Sequence, residues 1–273
     1  MTRPLVSIVV PVFNPHPVYF RQAIDSVLSQ TFGDFELIVV EDPSPSSGQA
    51  MLAGVTDPRL RYILNAERTS LPRQHNRGLA EARGQFICRF DADDICEPDR
   101  VERELAFLQA HPDVDVVASG LTIIDDKGAV IGTRRYPIDH AGIVRAMRRF
   151  NPIANSTVMF RREVYDKFGG WRDSVLPAQD YEWYSRLAAG GARFANLASP
   201  LVRYRLHGGS IKSSKLRGTI QTTLEVKNMY WRQHMDLTSR AVMMLERGLL
   251  HLPESLVLWL FAAIRYRRSG ADS

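Results

Sequence analysis

Cysteine is scarce in this sequence, because Cys88 and Cys96 are the only two among 273 residues. Their spacing does not match a metal-binding pair, and so few cysteines cannot build a disulfide framework, which indicates a reducing compartment. The apolar run before Pro11 is too short for a signal peptide, and no small-residue cleavage site follows it. We therefore expect a cytoplasmic protein.

Glycine-rich phosphate-binding motifs are also missing. Neither G-x-G-x-x-G nor G-x-x-x-x-G-K-[ST] occurs, which excludes the usual dinucleotide-binding turn and the P-loop. The net charge of +5 is small, and the sequence has no zinc-finger spacing and no block rich in lysine or arginine. Nucleic acid is therefore not an expected partner. A phosphate-bearing ligand is expected to be held by a metal ion rather than by a glycine loop.

Strand and helix patterns alternate through the first half of the chain. Apolar, β-rich runs predict buried strands at 5–10, 35–40, 61–64 and 85–90, and helical patterns lie at 17–31, 71–83 and 98–110. This alternation predicts an α/β fold with a Rossmann-like, mostly parallel sheet and helices on both faces. The second half predicts a hairpin at 126–128, strands at 156–160, 193–197 and 201–206, a helix at 179–189, and a helical pattern from 215 to about 268.

Three aspartates follow the fourth predicted strand, in the sequence FDADD (90–94). Capping of the next helix is enough to explain Asp94. It does not explain Asp91 and Asp93, because side chains two residues apart in an extended segment point the same way and crowd like charges. A few oxygen ligands suit Mg²⁺ or Mn²⁺ with positions left for substrate phosphates. The pattern indicates a site at the carboxyl ends of the strands, where open α/β sheets bind ligands.

Six segments in a fixed order resemble the family 2 glycosyltransferases, which are inverting enzymes of the GT-A fold. They are VSIVVPVFN (6–14), ELIVVEDPSPS (36–46), LPRQHNRGLAEARGQFICRFDADD (71–94), NSTVMFRREVYDKFGGW (155–171), QDYEWYSRLA (179–188) and YRLHGGS (204–210). The resemblance implies metal-dependent transfer of a sugar from a nucleoside diphosphate sugar, by family default a UDP sugar. The implied acceptor is a saccharide or lipid-linked saccharide in surface polysaccharide or glycan synthesis.

The resemblance also implies a set of donor-binding residues. The backbone from Pro11 to Asn14 and the carboxylate of Asp42 would hold the base and ribose, and Glu41 takes the place of a usual aspartate. The expected donor-binding residues are Pro11, Phe13, Asn14, Glu41, Asp42, His75, Asp91, Ala92 and His207.

The expected metal ligands are Asp93, Asp91 and His207, which the resemblance places against the cation or the diphosphate. Ser210 and Lys212 are candidates for a loop that closes over the phosphates. His75 stands where many relatives have an arginine. Arg73 and Arg77 are both candidates for the missing charge, and the sequence does not decide between them.

Inversion at an anomeric carbon needs one base that takes the proton of the acceptor hydroxyl. By the resemblance this base is Asp180, and the alternative is an acidic residue that only stabilises a helix N-terminus. Gln179 replaces the usual glutamate and is expected at the acceptor. Trp171 is expected to stack on an acceptor sugar, and core packing explains it equally well. Glu182 is expected to be solvated or ion-paired.

The expected domains are a GT-A catalytic domain (1–212), with a nucleotide-sugar half to about 110 and an acceptor half over 111–212, and a helical extension (213–273). The segment 252–270 is apolar for little more than half of the roughly 20 residues that a bilayer span needs, and then carries three arginines. A peripheral helix at the inner face of the cell membrane fits this pattern. A helix packed on the catalytic domain or in a homodimer fits it as well.

Two other functions share parts of the pattern. A sugar-nucleotide pyrophosphorylase needs a glycine-rich phosphate loop with basic residues after the first strand, which PVFNPHP (11–17) does not supply. A non-catalytic saccharide-binding or assembly subunit on a degenerate transferase fold stays open because of Gln179 and His75. The presence of Asp91, Asp93 and Asp180 favours the enzyme.

Overall fold

The computed structural model describes residues 3–206, 216–253 and 256. The first half alternates strands and helices, as the sequence pattern predicts. Its strands are β1 (Val6–Val12), β2 (Phe35–Glu41), β3 (Leu60–Leu64), β4 (Phe86–Arg89) and β5 (Ile95–Cys96), and its helices are α1 (Pro17–Leu28), α2 (Gly48–Met51), α3 (Leu71–Glu81) and α4 (Arg100–Ala110).

The second half differs more from the prediction. Its strands are β6 (Val116–Ile124), β7 (Val130–Arg134), β8 (Met159–Arg161) and β9 (Phe194–Arg205), and its helices are α5 (His140–Met147), α6 (Arg162–Phe168), α7 (Gln179–Ala189), α8 (Leu216–Val226) and α9 (Leu237–Leu249). A π-helical turn (Lys227–Trp231) follows α8. Two strands predicted near the end of this half are in fact the single strand β9, whose register against β6 shifts around Gly120.

The strands form one sheet in the order β3-β2-β1-β4-β8-β6-β9-β5, with β7 paired to β6. The four strands β3, β2, β1 and β4 are parallel, and the later strands pair in both directions. From β1 the chain moves outward to β2 and β3 and then returns to β4 on the other side of β1. The strand order therefore reverses between β1 and β4, and their carboxyl ends flank a crevice.

Apolar side chains alternate between two layers along the central strands, which buries both faces of the sheet. In β1, Val9 packs in the layer that contains Leu79 of α3, and Ile8 packs in the layer that contains Phe20 of α1. Helix α3 lies close to β1 because Gly78 has no side chain, and a Cβ there would lie 2.3 Å from Cγ1 of Val9. This close packing fixes the position of α3 beside the crevice.

The π-helical turn packs against α7 through polar contacts. The Trp231 Nε1–H donates to Oγ of Ser185 over 3.0 Å, and the Tyr230 hydroxyl donates to Oε1 of Glu182 over 2.7 Å. No helix within the described residues is both long and apolar enough to cross a bilayer. The predicted C-terminal membrane segment lies largely outside the described residues, and the boundary at 212 stays a prediction.

Candidate active site

The chain leaves β1 through two exposed residues, Phe13 and Asn14. Asn14 has a φ of 49°, and its N–H donates to Oγ of Ser44 over 3.1 Å. The guanidinium of Arg68 lies 4.2 Å from the centre of the Phe13 ring. Pro11 is buried within the strand itself. Of the predicted donor-binding residues in this turn, Phe13 and Asn14 are therefore open to solvent at the crevice.

Asp42 follows β2 and is 1% exposed. Its Oδ1 accepts a hydrogen bond from Nδ2 of Asn65 over 2.7 Å, and its Oδ2 accepts one from the N–H of Thr69, also over 2.7 Å. These bonds hold the carboxylate in one orientation at the carboxyl end of β2.

Glu41, the last residue of β2, is held by hydrogen bonds to both of its carboxylate oxygens. It is 2% exposed, its Oε1 accepts from the N–H of Gly48 over 2.7 Å, and the Tyr62 hydroxyl donates to its Oε2. Both oxygens are used to hold the start of α2 and the strand β3. Glu41 therefore has a structural role here, and its predicted donor contact stays a prediction.

Arg89, the last residue of β4, occupies a central position that the sequence analysis missed. Its guanidinium is 3% exposed and forms an ion pair with Asp91, and its Nε donates to Nε2 of His75 over 3.4 Å. Burial and the charge of Arg89 hold the pKa of His75 well below its ordinary value, so the imidazole is neutral. The only signal in the sequence was an arginine among apolar residues in FICRF (86–90).

His75 and Trp171 belong to a buried aromatic stack. The two ring centres lie 4.6 Å apart, and Trp171 in turn stacks on Trp183 at 4.3 Å. His75 is 1% exposed and Trp171 is 3% exposed. This burial favours core packing for Trp171, and the contacts of His75 with the donor and of Trp171 with an acceptor sugar stay predictions. The positive charge beside His75 comes from Arg89, since Arg73 and Arg77 are exposed.

The three aspartates after β4 differ in their surroundings. Asp94 is buried, and its Oδ1 accepts from the N–H of Arg205 over 2.9 Å. The prediction that it caps a helix is wrong, because the N-cap of α4 is Asp99. Burial, followed by the charges of Asp91 and Asp93, raises the pKa of Asp94 well above the ordinary value. The charges of Asp91 and Asp93 thus add to the effect of burial at this turn.

Asp91 and Asp93, with Ala92 between them, form a partly exposed turn at the crevice. Two carboxylates fit an oxygen-liganded cation that completes its coordination with substrate phosphates. Among the residues that the structure describes, no three His, Cys, Asp or Glu side chains are grouped to hold a metal by themselves. The predicted third ligand, His207, and the loop residues Ser210 and Lys212 lie outside the described residues.

Asp180 lies in the first turn of α7 and is partly buried. Nδ2 of Asn151 donates to its Oδ2 over 3.1 Å. Burial raises the pKa of Asp180, while the N–H of Tyr181, the charge of Arg89 and the Asn151 amide oppose this rise. The carboxylate is therefore oriented, has a raised basicity and is within electrostatic reach of the guanidinium that pairs with Asp91.

The neighbours of Asp180 on α7 are buried. Gln179 is 8% exposed, and its Oε1 has no hydrogen-bond partner within the described part of the chain. Glu182 is fully buried and ion-paired with Arg186 at 3.0 Å and with Arg172 at 3.2 Å. The expectation of an ion-paired Glu182 is confirmed, and that of a solvated one is wrong.

The sequence is similar to those of known glycosyltransferases. The sequence model of "Glycosyl transferase family 2" matches residues 7–169. An uncharacterised glycosyltransferase of Haemophilus influenzae is 31% identical over 235 residues, which are 82% of this chain and 72% of the relative. The O-antigen biosynthesis glycosyltransferase WbnJ of Escherichia coli is 28% identical over 217 residues, covering 78% of this chain and 84% of the relative.

Solved structures share the fold at low sequence identity. The mannosyltransferase PcManGT of Pyrobaculum calidifontis, in complex with GDP-Man and Mn²⁺, has a TM-score of 0.64 at 19% identity, covering all of this chain and 77% of its own. S. aureus TarS 1–349 in complex with UDP has a TM-score of 0.63 at 16% identity, covering 87% of this chain and 69% of its own. These neighbours confirm the predicted GT-A architecture.

Proposed function

The chain belongs to glycosyl transferase family 2 and is a glycosyltransferase. We propose that it transfers one sugar, with inversion, from a nucleoside diphosphate sugar to a saccharide or lipid-linked saccharide. The observation that carries this proposal is the position of Arg89. It forms an ion pair with Asp91, and its charge opposes the rise in the pKa of Asp180. The two carboxylates with distinct proposed roles thus belong to one electrostatic unit.

The donor is proposed to bind across the carboxyl ends of β1, β2 and β4. The exposed Phe13 and Asn14 and the fixed Asp42 lie at the ends of the first two strands, where a base and ribose would be held. Two structural neighbours support a nucleotide ligand, since one was solved with UDP and another with GDP-Man. We propose a UDP sugar as the donor.

Asp91 and Asp93 are proposed to hold Mg²⁺ or Mn²⁺, with His207 as a third ligand. Burial and then the charges of Asp91 and Asp93 raise the pKa of Asp94, so a cation would relieve the repulsion at this turn, and the neighbour with GDP-Man contains Mn²⁺. When bound, the cation supplies positive charge that stabilises the departing diphosphate. Arg89 forms an ion pair with Asp91 and so restrains its carboxylate.

Asp180 is proposed to be the general base. A general base needs a carboxylate that is held in place and a pKa near the operating pH. The hydrogen bond from Asn151 restrains the Asp180 carboxylate, and the upward shift of the Asp180 pKa moves it in the required direction. Its Oδ atom would take the proton of the acceptor hydroxyl while that oxygen attacks the anomeric carbon. The unpaired Oε1 of Gln179 is proposed to accept a hydrogen bond from the acceptor.

The biological setting is proposed from the relatives. WbnJ is named for O-antigen biosynthesis, and another relative, AmsE of Erwinia amylovora, is named for amylovoran biosynthesis. We propose synthesis of a surface polysaccharide at the cytoplasmic side of the cell membrane. The proposed domains are the catalytic domain over 1–212 and the helical extension over 213–273.

The test is a thermal-shift and hydrolysis panel of UDP, GDP and dTDP sugars, each with Mn²⁺, Mg²⁺ or EDTA. A ligand that binds the native state raises the melting temperature with its concentration. We expect one nucleotide sugar to stabilise the protein only with metal present. Stabilisation by none of them, in any metal condition, would contradict the proposal and favour a non-catalytic subunit.

A further inference from the structure

A cavity of about 740 Å³ lies between the π-helical turn and α9, among residues with no part in the proposed reaction. Three arginines and three methionines line it, namely Arg232, Arg240, Arg247, Met235, Met243 and Met244, and the remaining lining residues are the amides Asn228 and Gln233. The lining therefore combines positive charge with flexible apolar side chains and contains no acidic residue.

Within the described part of the chain, the guanidinium groups of this cavity have few partners. The side chains of Arg232 and Arg240 form no hydrogen bond or ion pair with another described residue, and Arg247 only donates to Oδ1 of Asn228 over 3.3 Å. The acids of the same helices are already used. Glu246 pairs with Lys227 at 2.6 Å, and Asp236 accepts the N–H of Ser239 over 2.7 Å at the start of α9.

Exposed apolar side chains border the arginines. The exposed fractions are 60% for Met229, 85% for Leu237, 68% for Met244 and 71% for Leu245. On α9, Leu237, Arg240, Met244 and Arg247 follow a spacing of three or four residues and therefore lie along one face. Ser239 is buried on the side of the helix away from this face, and Met243, which is also buried, lines the cavity. A grouped set of exposed apolar side chains is characteristic of an interaction surface.

We propose that this face, defined by Arg232, Arg240, Arg247, Met229, Leu237, Met244 and Leu245 and here named the arginine-methionine face, docks on an anionic lipid bilayer. The guanidinium groups bind lipid phosphates, and the apolar side chains enter the boundary between headgroups and acyl chains. The docking does not depend on the proposed sugar transfer, because it uses different residues.

The remaining sequence favours a bilayer over the protein's own C-terminal segment as the occupant. Residues 257–264 (VLWLFAAI) are followed by Arg265, Arg267 and Arg268. A segment with this charge is not complementary to a cavity that already holds three arginines. Both parts of the chain are instead complementary to the same anionic surface. The π-helical turn also contacts α7, so docking would hold the acceptor half near the membrane.

The test is sedimentation of the full chain with vesicles of phosphatidylcholine alone or of phosphatidylcholine mixed with phosphatidylglycerol. We expect binding only to the mixed vesicles, and weaker binding as salt rises. The triple variant Arg232→Ser, Arg240→Ser, Arg247→Ser should bind about 100-fold more weakly, at about fivefold for each arginine. The matched control replaces three exposed arginines elsewhere, Arg21, Arg103 and Arg193, by serine, and should bind like the wild type.

A second variant separates the apolar contribution from the charge. Met244→Ser with Leu245→Ser keeps every arginine and should also weaken binding, because both side chains are exposed and lose no core contact. Equal loss in the triple variant and its control would overturn the proposal, as would equal binding to both kinds of vesicle. The proposal would also be overturned if inorganic phosphate stabilised the protein while no vesicles were bound. The same holds if the protein self-associated, the triple variant did not, and no vesicles were bound.

Discussion

Asn151 donates a hydrogen bond from Nδ2 to Oδ2 of Asp180 over 3.1 Å. The bond joins the loop after α5 to the first turn of α7, and it leaves Oδ1 of the carboxylate free of this constraint. Arg89 acts on the same carboxylate through its charge while it pairs with Asp91. Arg89 is therefore linked to the proposed base through its charge and to the proposed metal turn through an ion pair.

Replacement of Arg89 by Met should move the acidic limb of the pH profile of kcat/KM. The positive charge of Arg89 favours the ionised form of Asp180 and opposes the rise that burial causes. Its removal should raise the pKa of Asp180 further, so activity should be lost at higher pH than in the wild type, with a shift of about one unit. Groups that face Asp180 and could also move the profile are Tyr136 and Tyr184.

Two variants control this measurement. Arg77→Met removes an exposed arginine of α3 and should leave the profile unchanged. Arg89→Lys retains the charge and should restore most of the wild-type profile. A fall in kcat without any shift of the acidic limb would show that Arg89 acts only on folding.

Asp91→Asn and Asp93→Asn should each abolish the metal-dependent part of donor binding. Removal of a residue that only hydrogen-bonds to a metal ligand lowers metal affinity about 10- to 100-fold. Each of these changes removes a proposed ligand itself, so the loss of metal affinity should be larger. Titration calorimetry with Mn²⁺ and the nucleoside diphosphate measures it. Asp99→Asn, at the start of α4 and paired to Arg103, is the control. Metal-dependent binding that survives in both variants would refute the assignment.

Asp94→Asn should have little effect on the stability of the protein. It differs in this from Asp91→Asn and Asp93→Asn, which are expected to impair donor binding. An amide oxygen still accepts the N–H of Arg205, and the raised pKa of Asp94 shows that its negative charge is unfavourable in the folded protein. We therefore expect Asp94→Asn to lower the free energy of unfolding less than Asp94→Ala does. Asp94→Ala leaves that N–H unpaired and should cost about 1 to 3 kcal/mol in urea unfolding. Equal costs for the two variants would contradict this explanation.

Tyr230→Phe should destabilise the packing of the π-helical turn on α7. The variant removes the hydrogen bond to the buried carboxylate of Glu182, which a hydroxyl donates over 2.7 Å. A hydrogen bond to a charged group is worth about 1.5 to 3 kcal/mol, and this is the expected loss in the free energy of unfolding. Tyr165→Phe is the control, because the Tyr165 hydroxyl makes no hydrogen bond with a described residue. The same loss in both variants would exclude the Glu182 contact as the cause.

Local patterns were sufficient to predict the parts of the fold that depend on local sequence. Continuous apolar runs indicated β1, β2, β3 and β4, and the bounds of α7 were predicted as 179–189. Strand β9 was predicted as two strands because its continuity depends on pairing with β6, which is distant in sequence. The hydrogen-bond partners of a strand are not encoded within the strand itself.

In the candidate site, too, features that depend on neighbouring residues were predicted and those that depend on distant residues were not. The acidic turn with Asp91 and Asp93 was visible because its residues are close in sequence. The pairing of His75 with Arg89 was not, because it joins a helix to a strand and depends on burial. Trp171 is likewise found in a core stack, and no sequence pattern distinguishes an aromatic residue in such a stack from one at a pocket wall.

The most direct test of the proposed reaction is to measure turnover and donor binding of Asp180→Asn side by side. Loss of the general base should lower kcat by about 100- to 10,000-fold, while the donor raises the melting temperature as much as in the wild type. Asp166→Asn, an exposed carboxylate of α6, is the control and should transfer sugar normally. Sugar transfer by Asp180→Asn at the wild-type rate would contradict the assignment of the base.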